Sequence, residues 1–83
     1  MQADKKTVEM ILKTARGQIE ATLKMVEDDR YCIDISNQIL AAEALLKKAN
    51  KEILGAHMKS CLKDAFEHGD EERAISEILG LIK

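Results

Sequence analysis

One periodic segment constrains this chain more than any other feature. From about Tyr31 to Glu67 apolar residues recur at three- and four-residue steps with no proline to break them, the signature of an amphipathic helix. Ile35, Ile39, Leu46, Ile53 and Leu54 share one face, with Leu40, Ala44, Leu62 and Phe66 beside it. At 1.5 Å per residue such a helix is about 55 Å long. An earlier segment, from about Asp4 to Glu27, carries Val8, Ile11, Leu12, Ala15, Ile19, Leu23 and Val26 as an apolar stripe that Gly17 interrupts. It is too short to cover the long helix, so partner chains must supply the rest. Asp28-Asp29-Arg30 is a polar break short enough to turn the chain back. His68-Gly69 is a C-terminal stop, and Asp70 is a good N-cap for a last helix holding Ala74, Ile75, Ile78 and Leu79. The expected fold is all-α: helix, long helix, short helix, in one domain spanning residues 1–83.

Composition excludes the alternatives. Tyr31 and Phe66 are the only aromatics and proline is absent, whereas sandwiches and barrels need turn punctuation and aromatic or β-branched strands. A hydrophobic fraction of 46% is too high for a disordered chain. The net charge of −2 is evenly spread, with six basic and six acidic residues over 1–30, five of each over 31–68, and the surplus acid after Gly69. Any nucleic-acid surface must therefore be a local patch built by folding or assembly. No apolar run approaches a membrane span and no signal-peptide core is present. A cytoplasmic location is expected, where Cys32 and Cys61 are reduced thiols suited to metal or redox chemistry rather than a disulfide.

Cys32, His57 and Cys61 all fall on the long helix. His57 and Cys61 are four apart, share a face and can grip one ion. Cys32 precedes His57 by 25 residues, which returns to within roughly 20° of the same stripe but about 37 Å away along a straight helix. One chain cannot close such a site; an antiparallel copy can. A two-fold axis near Leu45 and Leu46 brings Cys32 of one chain beside His57 and Cys61 of the other, with Ala41, Ala42 and Ala49 as small residues at the crossing. That geometry predicts an isologous dimer with two equivalent sites. The bland alternative is a buried thiol and a hydrogen-bonded histidine. Two thiolates and an imidazole suit Cu(I) or Zn(II). Zinc wants a fourth ligand; His68 is expected to cap the helix end, and Met10 and Met58 are expected to fill core, so Cu(I) is favoured.

Several stretches have a familiar look: Lys13-Thr14-Ala15-Arg16-Gly17-Gln18, Glu27-Asp28-Asp29-Arg30-Tyr31-Cys32-Ile33-Asp34, Gln38-Ile39, and His57-Met58-Lys59-Ser60-Cys61. Together they resemble the copper-sensitive operon repressor family over about Lys13 to Glu77. Tyr-Cys followed by His-x-x-x-Cys is that family's Cu(I) signature; nickel/cobalt members usually have histidine where Cys61 stands, and persulfide-sensing members lack the histidine. The resemblance implies three-helix chains forming antiparallel dimers that pair into a homotetramer. It also implies that Tyr31 and Glu77 stand near the ligand histidine, and that Lys13, Arg16, Lys24, Lys48 and Lys51 serve a face of the first two helices that lies on operator DNA. One departure is that copper sensors commonly carry arginine where Ile11 stands. The implied function is a Cu(I)-responsive transcriptional repressor whose apo tetramer binds the operator and is released by Cu(I). The alternative is a cytosolic copper buffer of the same fold that has lost DNA binding. No acid/base pair suggests an enzyme.

Overall fold

The computed structural model describes residues 1–81 and contains three helices, α1 (Lys5–Glu27), α2 (Cys32–His68) and α3 (Glu71–Leu81). Each boundary has a local cause. Asp4 caps α1, its Oδ2 accepting from the Thr7 amide at 3.0 Å and from the Thr7 hydroxyl at 2.6 Å, which satisfies amides that a helix start leaves open. The turn after Glu27 places Asp29 at φ 51, a left-handed conformation that Asp tolerates better than most side chains. α2 ends at Gly69, φ 77, with the Asp70 amide donating to the Ala65 carbonyl at 2.8 Å. That is the usual glycine solution for closing a last turn.

α1 folds back on the first part of α2 as a helical hairpin, and α3 returns on the last part. The molecule is correspondingly long and thin, 57 × 26 × 12 Å. Its core is small: Val8, Ile11 and Ala15 of α1 against Ala42 and Ala49 of α2, and Ala65 of α2 against Ala74 of α3. Gln18, Thr22 and Met25 continue the α1 side of the seam, half-buried, and the Gln18 Oε1 is buried without a hydrogen-bond partner. The seam is apolar at the open end of the hairpin and partly polar toward the turn.

Three expectations are corrected here. The apolar stripe of α1 does not lie on one surface. Steps of four overshoot a 3.6-residue turn by about 40° each, so the run from Ala15 through Ile19 to Leu23 climbs out of the seam. Leu12, Ile19, Leu23 and Val26 stay exposed, Leu23 at 58%. Ala42 and Ala49, expected where two copies of α2 cross, are instead buried under α1 within the same chain, Ala49 at 2%. Their small side chains let α1 close on α2, while Ala41 is half-buried beside them. Met10 is exposed rather than core filler, and Met58 is half-buried.

Candidate metal centre

Cys32 is the first residue of α2, directly after the chain leaves the α1–α2 turn, and it is exposed. Tyr31 occupies the N-cap position without a side-chain capping bond, its ring also exposed. His57 lies 25 residues on and is exposed; Cys61 is half-buried where α3 packs back. Both cysteines are free thiols. Helix geometry places Cys32, His57 and Cys61 within roughly 40° of one another around α2, on the side that also carries Ile39, Leu46 and Ile53. Along the axis Cys32 is about 37 Å from His57. Accordingly, among the described residues no three His, Cys, Asp or Glu side chains of one chain stand close enough to hold an ion.

What flanks this stripe is an open apolar surface. Ile19, Leu23 and Val26 of α1 and Ile39, Ala42 and Leu46 of α2 line a groove of about 400 Å³ along the hairpin. A second hollow, lined by Leu12, Leu46, Ala49 and Ile53 with Lys47 and Asn50 at its edge, continues it toward the open end. Leu46 belongs to both, midway along α2 between Cys32 and Cys61. The three ligand-type residues thus lie on the same face as this exposed apolar strip of the hairpin.

A cleft of about 280 Å³ separates α3 from the end of α2 and is lined by Cys61, Asp64, His68, Arg73 and Glu77 among others. Glu77 therefore shares a cavity with Cys61, while His57, one turn earlier, is not part of its lining. The His68 Nδ1 lies 2.8 Å from the Asp64 carbonyl oxygen. As an N–H donor it adds a bond to a carbonyl that the helix ladder already serves, just before the open carbonyls of the α2 end, so the expected cap is not made by this bond. Arg73, which sequence reasoning passed over, faces the same cleft; its four-residue spacing from Glu77 was the available signal.

The basic residues are not gathered. Lys13, Arg16, Lys24, Lys48 and Lys51 are all exposed. Helix geometry sets Lys13 and Lys24 on the side of α1 away from α2, and Lys51 on the side of α2 away from α1. Within one chain the five do not form a single face. Ile11 belongs to neither side, since it is 8% exposed in the α1–α2 seam.

A sequence profile described as metal-sensitive transcriptional repressor matches residues 4–83, nearly the whole chain. The chain belongs to this family of metal-sensitive repressors. Family members are transcription regulators, not enzymes. Among relatives, the copper-sensing transcriptional repressor CsoR of Bacillus subtilis (strain 168) is 44% identical over 72 residues, covering 87% of this chain and 71% of that one. CsoR of Mycobacterium tuberculosis (strain H37Rv) is 36% identical over 72 residues, covering 87% of this chain and 60% of its own. Among solved structures, the copper-sensing repressor CsoR with Cu(I) from Geobacillus thermodenitrificans NG80-2 superposes with a TM-score of 0.79 at 36% identity, over 99% of this chain and 88% of that one. The nickel-responsive regulator InrS gives a TM-score of 0.85 at 24% identity, over 99% and 92%, a likeness of fold. The metal-sensitive repressor family thus accounts for all three helices in their order. Among the described residues no helix is long and apolar enough to cross a membrane.

Proposed function

We propose that the chain is a Cu(I)-responsive transcriptional repressor that acts in the cytoplasm as an antiparallel dimer, paired into a tetramer. The observation that carries the reading is the coincidence of Cys32, His57 and Cys61 with the unpartnered apolar face of the hairpin. A second antiparallel copy seated on Leu12, Ile19, Leu23, Val26, Ile39, Leu46 and Ile53 buries that face. The same docking sets Cys32 of each chain against His57 and Cys61 of the other.

The donor set fits the metal. Two accessible free thiols and an exposed imidazole are soft to borderline donors, and three of them suit Cu(I) better than a four-coordinate zinc. When bound, the ion supplies a soft Lewis acid that favours the thiolate forms of both cysteines. The chain's own residues do the rest. Cys32 and the His57–Cys61 pair tie the start of one α2 to the end of another, and Glu77, beside Cys61, ties α3 to the occupied site by accepting from the ligand histidine's other ring nitrogen. Tyr31 adjoins Cys32 and closes the same end. Lys13, Arg16, Lys24, Lys48 and Lys51 meet operator phosphates across the assembly, where copies supply the continuity that one chain lacks. Repositioning of α3 and the α2 end lowers affinity for DNA, and linkage requires that DNA lower affinity for copper by the same factor.

The deciding measurement is apo and copper-loaded binding to the DNA upstream of the protein's own gene, across a salt series. The expected result is steeply salt-dependent binding by the apo protein and weaker binding with Cu(I). An apo protein that does not prefer that DNA over random sequence, yet binds Cu(I) tightly, is the copper buffer instead.

A further inference from the structure

α2 is 14 residues longer than α1, so roughly 21 Å of it runs past the hairpin. This overhang carries His57 and Cys61 and, among the described residues of the chain, is backed by α3, through Ala65, Ala74 and the cleft at Cys61. On its other side stand Lys59 and Lys63, both exposed. Each is two residues after a ligand-type residue, hence about 200° around the helix from it. Lys48, Lys59 and Lys63 fall within roughly 60° of one another, a stripe about 22 Å long in which Glu52 is the only acid. Gly55 lies midway along the stripe's length and about 20° beyond its edge, with nothing within 4 Å of where its Cβ would be. An exposed glycine inside a helix is unfavourable relative to alanine, and no contact in the chain calls for one here. A glycine between lysines does suit the close approach of a phosphate backbone to the helix.

We infer that Lys59 and Lys63 are phosphate contacts, and that they carry the response to copper because they ride on the same helical overhang as His57 and Cys61. This rests on the repressor reading and locates its coupling. The α1 lysines sit on a segment clamped along its length against α2. Lys59 and Lys63 sit where, within the chain, α3 backs the helix and α1 does not reach. A change at the ligand face of the overhang turns or shifts its opposite face as one rigid rod, so the two lysines lose register with the phosphates. DNA contacts on the hairpin body are held in both states.

The test uses the full chain and its own upstream DNA, apo and with saturating Cu(I), for wild type, a Lys59→Gln/Lys63→Gln variant, and Lys13→Gln. Copper affinity by chelator competition and helicity confirm folding in each. The double variant should bind apo DNA on the order of tenfold more weakly with a shallower salt slope. Copper should then weaken it little further, because the contacts it removes are already gone. Lys13→Gln should weaken both forms and keep the wild-type ratio. Gly55→Ala should raise thermal stability while weakening apo DNA binding. A double variant that copper still releases by the wild-type factor overturns the inference while leaving the repressor reading intact. A wild-type protein with no DNA preference overturns both. Gly55→Ala with unchanged DNA affinity removes the close approach at that turn.

Discussion

At Ile11 a surface argument meets a packing one. The side chain lies in the α1–α2 seam with Val8 and Ala15, opposite Ala42 and Ala49. Placing arginine there is not a simple gain of a phosphate contact, because the guanidinium must leave the seam or be buried uncompensated. Ile11→Arg is expected to lower stability by about 2–4 kcal/mol, read as a fall in the urea midpoint, and any DNA gain must be measured where the variant is folded. Asp4 acts at the same scale. Hydrogen bonds from the Thr7 hydroxyl, and then from the Thr7 amide, hold its carboxyl below the usual aspartate value. A depressed carboxylate contributes above its unfolded pKa and stops contributing as pH falls through the folded value. The protection of the Thr7 amide, taken against its intrinsic exchange rate at each pH, should therefore fall on acidification below about pH 4, and in Asp4→Ala it should be low at every pH.

Among elements, α3 is the one held by least. Ala74 against Ala65 and the Cys61 cleft are its main attachments, which suits the shift proposed for it. Glu77→Ala should keep most of the copper affinity, since the carboxylate is not assigned as a ligand. It should lose most of the release from DNA, a coupling of about 1–3 kcal/mol, measured as the ratio of DNA affinities with and without Cu(I). If the ratio is unchanged, Glu77 is an ordinary lining acid. The helices themselves were legible in the sequence, because Asp4, the Asp28-Asp29-Arg30 break and Gly69 each act through their nearest neighbours. Which apolar residues face inward was not legible. Ala15, Ala42 and Ala49 are buried while Leu23, Val26, Ile39 and Leu46 are exposed, because the choice is made by how closely two helices approach, not by hydropathy. The ligand stripe on α2 follows from helical period alone. The expected basic face did not appear within one chain, since Lys13 and Lys24 turn away from α2 and Lys51 away from α1.

For the whole molecule, the arrangement of donors makes a prediction about mixtures. Cys32→Ala and His57→Ala chains should each bind Cu(I) poorly alone. Combined as a heterodimer, one of the two sites regains Cys32 from the His57→Ala chain and both His57 and Cys61 from the Cys32→Ala chain. Competition titration of the purified heterodimer should recover about half of the wild-type stoichiometry; no recovery means that the site does not span two chains. The exposed groove from Leu12 to Val26 has one more consequence, in the arithmetic of copy number. If a chain whose described core is five alanines with Val8 and Ile11 draws further stability from the proposed second copy, its melting temperature should climb as protein concentration rises. Copper that needs two chains at once must then favour association as strongly as association favours copper. On the proposed reading, a cell that makes little of this protein would set a different copper threshold from one that makes much of it.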